Sequence, residues 1–247
     1  ARSLGVAYSG LKVSVDAAAA AGLEAAAREA RYAAFLKMVE ASDGLLSAHH
    51  QDDQAETLLL NLMRGSGVTG LAGIGARRVF GKGLLLRPLL DVPLHDLKSY
   101  AAAEQLDWVE DPSNRNTQFD RNFLRLEILP TLAGRWPAVA GRLRRSAELV
   151  REASELLDDL ADADLDAVGT DNRLSIKQLQ VLSAPRRRNV LRRAIRRCGL
   201  PAPPGTRLQQ IVDELIPARP DAQPQVSWSG VDVRRYRDEL FILPSQS

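Results

Sequence analysis

The chain has a single cysteine, Cys198, among 247 residues. One thiol cannot form an internal disulfide framework, and it fits a reducing compartment. It also removes chemistry that needs a cysteine pair. Aromatic residues make up only 5% of the sequence, so stacking platforms for bases are few. No apolar run approaches the roughly 18 residues of a membrane span, and no secretory leader is visible. A cytoplasmic chain with no membrane partner is expected. There is little net charge either: the formal balance is +2, so overall charge does not announce a nucleic-acid partner.

What is present is a globular composition, 45% hydrophobic and 26% charged. The length suits one large or two ordinary domains. Charge is unevenly spread. Residues 152–171 are rich in Asp and Glu, while Arg186-Arg187-Arg188, Arg192-Arg193 and Arg196-Arg197 form a basic block. Arginine outnumbers lysine, and its planar guanidinium suits bidentate phosphate contacts. The block has two readings of about equal weight: a solvated face paired with the acidic stretch, or an RNA-binding face.

The stretch richest in chemistry is His49-His50-Gln51-Asp52-Asp53-Gln54-Ala55-Glu56-Thr57. It follows the apolar run Gly44-Leu45-Leu46 and precedes a helical pattern ending at Arg64-Gly65-Ser66-Gly67. This reads as strand 44–48, a polar loop and a helix from about Asp53 to Met63, the place where open α/β sheets bind ligands. Asp53 and Glu56 have two compatible readings. They make a capping box, with Asp53 as cap and Glu56 reaching back. They also put two carboxylates on the first turn, able to hold Mg²⁺ or an ammonium group. Adjacent histidines at a strand end point to opposite sides, which disfavours a two-histidine zinc site. Arg64-Gly65 reads as a helix stop or a phosphate contact.

Earlier in the chain, Leu4–Tyr8 and Lys12–Val15 read as strands, with Ser9-Gly10 opening a phosphate loop. Parallel strands need a crossover of about a dozen residues or more, and almost nothing separates these two. The numbering is therefore expected to close over a segment missing after Gly10. Further expectations are a helix over 22–41, a loop over 70–80, strands at 84–87 and 107–110, and helices over 95–104 and 121–128, the last ended by Pro130. A long helix over 138–163, two helices within 176–198 and three short strands after 225 follow. The fold class is α/β, a doubly wound parallel sheet over residues 1–144, followed by a smaller, mostly helical α+β domain over 145–247.

Together these pieces resemble the tRNA(Ile)-lysidine synthases, a family of N-type ATP pyrophosphatases. The resemblance rests on Val6–Gly10, Leu23–Tyr32, the His49–Gly67 run, Arg87–Leu90, Trp108–Asn114 and Arg121-Asn122-Phe123-Leu124-Arg125, in the family's order. It departs at the phosphate loop, Ser-Gly-Gly-x-Asp-Ser in the family, of which only Ser9-Gly10 stand here. The resemblance implies that ATP adenylylates the wobble cytidine of tRNA(Ile) carrying a CAU anticodon, and that free lysine then displaces AMP. It implies Asp53 and Glu56 as catalytic residues and Mg²⁺ ligands. Ser9, Gly10, His50, Arg64 and Gly65 are expected on ATP. Arg115, Arg121, Asn122, Arg125, Arg192 and Arg193 are expected on tRNA, with the protein a monomer or homodimer. The alternatives are a tRNA thiolase, which the lone cysteine disfavours, and a catalytically inactive RNA-binding relative.

Overall fold

A computed structural model describes residues 5–15, 23–219 and 221–245. They divide into two compact units, Ala1–Leu149 and Val150–Ser247.

The first unit is α/β. Helix α1 (Leu23–Leu36) is followed by β1 (Gly44–Leu46), α2 (Gln51–Met63) and the short α3 (Val68–Leu71). Strands β2 (Arg77–Phe80) and β3 (Gly83–Leu86) form a hairpin, and α4 (Leu94–Ala103) follows. The sheet order is β1-β3-β2, with β1 parallel to β3 and β2 antiparallel to it. Leu85 pairs with Leu45 in the central strand and is fully buried. With Val39 and Phe80 it forms a small core, closed from α1 by Tyr32 and Phe35. Gly83 has no room for a side chain: a Cβ there would collide with the Asp43 carbonyl and the Val39 side chain. Glycine at the start of β3 therefore lets the hairpin lie against the turn before β1.

Several expectations fail here for one reason: a strand needs a neighbour. Residues 5–15 are coil, so Val6–Tyr8 and Lys12–Val15 are not strands; Leu4 lies outside the described residues. In the sequence as given no crossover separates the two runs, so neither reaches a parallel partner. Residues 107–110 are coil for the same reason, and Val109 is 96% exposed. Strand β2, read as loop, forms because Gly81-Lys82 close a two-residue hairpin, with Gly81 at φ +59° and Phe80 opposite Gly83. The α5 turn (Asp120–Phe123) runs through a π-helical turn (Leu124–Ile128) into α6 (Leu129–Arg135). Pro130 does not end this helix. It sits at the start of α6, directly after the π-helical turn, whose wider ring is where the helix accommodates it.

Helix α7 (Val139–Val168) is 30 residues long, and the division between the units falls within it. The second unit continues with β4 (Gly169–Thr170), β5 (Arg173–Ser175), α8 (Ile176–Val181), α9 (Ala184–Arg197), α10 (Gly205–Gln210) and a π-helical turn (Ile211–Leu215). Strands β6 (Gln225–Trp228), β7 (Val231–Tyr236) and β8 (Glu239–Pro244) complete an antiparallel sheet of order β4-β5-β8-β7-β6. Its core packs Leu174, Leu191, Ile195, Ile211, Val233 and Leu240, all fully buried. Among the described residues no helix is long and apolar enough to cross a membrane.

Candidate active site

The site grows from the first turn of α2. Its N-cap is His50, three residues earlier than the sequence pattern places it. The Asp53 side chain reaches back and accepts the His50 backbone N–H on Oδ2 at 2.9 Å. Asp53 is thus the box partner rather than the cap, and Glu56 has no capping role. Asp52 leaves the helix sideways: its Oδ2 accepts the Leu94 N–H at 2.8 Å, satisfying an orphan donor at the start of α4. Gln54 is 1% exposed and clasps the Ile74 backbone, its amide donating to the carbonyl and its oxygen accepting the N–H, both at 2.6 Å. This fixes the loop between α3 and β2.

Glu56 is completely buried, and Asp53 is 8% exposed. Both are met by arginines from the following helical segment. Arg121 donates from Nε to Glu56 Oε2 at 2.6 Å and from Nη2 to Asp53 Oδ1 at 2.8 Å. Arg125 donates from Nε to Glu56 Oε1 at 2.6 Å and from Nη2 to Glu56 Oε2 at 2.9 Å. Four residues therefore form one buried cluster of two carboxylates and two guanidiniums. Hydrogen bonding to Glu56 raises the Arg125 pKa further, so the guanidinium is permanently charged. The i, i+3 spacing puts Asp53 and Glu56 on one helix face; the i, i+4 spacing of Arg121 and Arg125 does the same opposite them.

One side of this cluster opens on a cavity of about 550 Å³ lined by Arg28, Ser47, His49, Asp53, Asn114 and Arg121, among others. His49 stands on its wall with Nδ1 2.6 Å from Ser47 Oγ. Burial lowers the His49 pKa to about 4; Asp53 partly offsets this, and Arg87, Arg121 and Arg28 reinforce it. His49 is therefore neutral at neutral pH. The loop 111–116 reaches the same cavity. Asp111 accepts the Ser113 N–H at 2.9 Å, and Asn122 Nδ2 donates to the carbonyls of Ser113 and Asn116 at 2.9 and 3.0 Å. Asn122 thus shapes the loop that carries Asn114 to the cavity.

Other expected residues are placed elsewhere. His50 packs against the cluster, its buried Nδ1 without a hydrogen bond among the described residues and 3.7 Å from Asp52 Oδ2, its Nε2 3.5 Å from Asp53 Oδ2. Arg64 and Gly65 end α2 at the far end from the cavity. Gly65 has φ +66°, and the Ser66 N–H returns to the Asn61 carbonyl at 2.9 Å, a glycine helix stop. Arg64 is exposed, 3.7 Å from Asp120. Arg115 is exposed and pairs with Glu110 at 3.2 Å. Ser9 and Gly10 are exposed coil at the rim of a separate apolar cavity, with Phe35 and Leu45.

In the second unit, Arg193 is held by Asp162 at 2.6 Å and Asp158 at 3.1 Å. Arg196 pairs with Asp158, Arg197 with Asp162 and Asp171, and Arg186 with Asp164. Arg192 is exposed on the same helix with no carboxylate beside it among the described residues. Much of the basic block is therefore spent on the acidic stretch.

Magnesium does not fit the carboxylate pair as it stands. Both Glu56 oxygens and both Asp53 oxygens already accept N–H bonds. No group of three or more His, Cys, Asp or Glu converges on one point among the described residues.

A family model described as a PP-loop domain matches residues 1–132, more than half of the chain. The chain belongs to the PP-loop domain family. A second model, described as the TilS substrate binding domain, matches residues 174–241. The chain is 46% identical to the tRNA(Ile)-lysidine synthase of Alkalilimnicola ehrlichii over 99% of its length and 55% of the relative's. The enzymes of the same name from Coxiella burnetii and Methylococcus capsulatus are 45% and 47% identical over 89% and 90% of the chain, and 49% and 51% of theirs. The chain thus spans about half the length of the curated relatives it matches. Asp53 and Glu56 lie in the opening turns of α2, the helix that follows the carboxyl end of β1.

Sequence reading missed Gln54, Ser47 and the pairing of Asp53 and Glu56 with Arg121 and Arg125. Sixty-five or more residues separate each carboxylate from its arginine, so only the two matched spacings, i+3 and i+4, signalled that two faces meet.

Proposed function

We propose that the chain carries the ATP-using, lysine-transferring part of a tRNA(Ile)-lysidine synthase. The first unit would serve as the catalytic domain and the second as a tRNA-contacting domain. The observation that carries this reading is the buried Asp53–Glu56 pair at the wall of a cavity, in a chain whose curated relatives bear that name.

In the first step the cytidine O2 attacks the α-phosphorus of ATP and pyrophosphate leaves. In the second, an amine of free lysine attacks C2 of the ring, loses a proton and expels AMP. The chain's contribution is placement and charge. Asp53 faces the cavity and offers negative charge to an ammonium group; Glu56 behind it, pinned by two arginines, keeps Asp53 and Arg121 in register. His49, neutral at working pH, accepts or donates hydrogen bonds without adding positive charge. Magnesium enters this reading with the triphosphate, and the protein's two carboxylates are not asked to hold it. Among the arginines, Arg192 is open to an RNA phosphate, whereas Arg193 is tied to Asp158 and Asp162.

One observation favours a second reading. Ser9-Gly10 stand in coil that runs on through Val15. A catalytically silent RNA-binding relative would look the same. One assay decides. The protein is incubated with ATP, radiolabelled lysine and tRNA bearing a CAU anticodon. Lysine-dependent labelling of the tRNA is expected. Tight tRNA binding without labelling establishes the silent relative instead.

A further inference from the structure

The first unit carries arginines that no carboxylate neutralises. Arg28 and Arg31 are exposed on α1, and Arg77 and Arg78 are exposed on the edge strand β2. None of the four lies within ion-pair distance of an acidic group among the described residues, although Glu29 lines the same surface. The contrast with α9 is direct, since Arg186, Arg193, Arg196 and Arg197 are all paired there.

Two of the four are organised. The guanidinium of Arg28 stands 5.3 Å from the Tyr32 ring centroid, and that of Arg78 stands 5.6 Å from the same ring and 5.4 Å from Phe80. Tyr32 and Phe80 meet edge to face at 5.7 Å, which locks both rings. A guanidinium over a ring face keeps its N–H edge free while losing little rotamer freedom. Sharing one ring keeps the two charges no farther apart than those distances laid end to end. Arg78 is directed to this face because it pairs with buried Leu85 and shares its strand face with Phe80. Arg28 lines both this hollow and the candidate active-site cavity, so the basic surface continues from the site.

From this we infer that Arg28 and Arg78, mounted on Tyr32 and Phe80, grip the phosphodiester backbone of the RNA whose base is presented to the cavity. The inference rests on the proposed RNA substrate. Each preset guanidinium can take a backbone phosphate, and neither reads sequence, so the contact supplies affinity and register.

The test measures binding of a fluorescent CAU anticodon stem-loop, and of an unrelated hairpin of equal length, across a salt series. In Arg28→Ala/Arg78→Ala the slope of log affinity against log salt should fall by about 0.7–0.9 for each arginine removed, equally for both RNAs. Arg28→Lys/Arg78→Lys should recover much of that slope. Thermal melting confirms that each variant is folded. Unchanged affinity and slope in the folded alanine variant would overturn the proposal and leave the arginines as guards of the strand edge. Lysine variants as weak as alanine variants would overturn it too, since charge would then not be the cause. Loss of slope in a protein that never transfers lysine would support this surface while removing the proposed reaction.

Discussion

Arg125 holds Glu56 by both carboxylate oxygens, and nothing of Glu56 is left to solvent. A fully enclosed charge is tolerable only while its partners stay in place. Replacing Glu56 by Gln keeps the shape but leaves two guanidiniums with Asp53 as the one carboxylate they share. Removing one partner of a buried pair costs about 3–5 kcal/mol, so Glu56→Gln should lower the unfolding free energy by that order in urea titrations and abolish lysine transfer. Glu56→Leu combined with Arg125→Met should be less destabilising than Glu56→Gln alone. A double variant at least as damaging as the single would show that the ion pair is not the source of the loss.

Asp53 combines a box contact at the start of α2 with a charge contact to Arg121. The two roles separate by substitution. Asp53→Asn keeps an oxygen for the His50 N–H and loses the charge; Asp53→Ala loses both. Loss of the cap contact is worth about 0.5–2 kcal/mol, so the alanine variant should be the less stable of the two by roughly that amount. Lysine transfer should vanish in both. Full activity in Asp53→Asn would remove the charge from the proposed role.

His49 makes stability depend on pH. Its pKa in the folded chain is about 4, below its ordinary 6.5, because burial disfavours the charged ring. Between these values the unfolded chain binds the extra proton. The contribution is fully present above about pH 6.5 and is lost as pH falls toward 4. Urea unfolding across this window should show stability dropping with acid, and His49→Gln should flatten that limb. The ring resonances of His49 should not titrate near pH 6.5. A His49 ring titrating at its ordinary value would contradict the burial argument.

Gln54 invites a different measurement, since its amide is wedded to one residue's backbone. Gln54→Leu fits the volume but removes both hydrogen bonds that Gln54 makes to Ile74. Each lost bond is worth about 0.5–1.5 kcal/mol. Amide exchange at Ile74, protected in the parent chain, should become fast. Continued protection at Ile74 would mean that another group takes over the bond.

Where each element was legible depended on how local its cause was. Helix α2 and strands β6 to β8 announce themselves through periodicity and turn residues within a few positions. Strand β2 was hidden because its arginines read as loop, although the Gly81-Lys82-Gly83 turn after it was a readable hairpin signal. The segments 6–8, 12–15 and 107–110 were misread in the opposite sense. Their residues favour strands, but extended backbone needs a neighbour that the chain does not bring to them. The site shows the same division. His49 through Glu56 stood out by composition. The fact that Arg121 and Arg125 complete it was a long-range event that spacing alone only hinted at. The basic block on α9 was conspicuous in sequence, yet its charge is largely consumed locally, while Arg28 and Arg78 were given no functional role.

The clamp on Glu56 and Asp53 has one more consequence. Its two positive and two negative groups already cancel. An ammonium-bearing ligand arriving at these carboxylates must therefore swap with a guanidinium instead of filling an electrostatic vacancy. Such an exchange releases about as many ionic contacts as it makes. Its affinity should respond weakly to ionic strength, whereas a polyanion resting on unneutralised arginines responds steeply. Two ligands of one site would then be separable by salt alone.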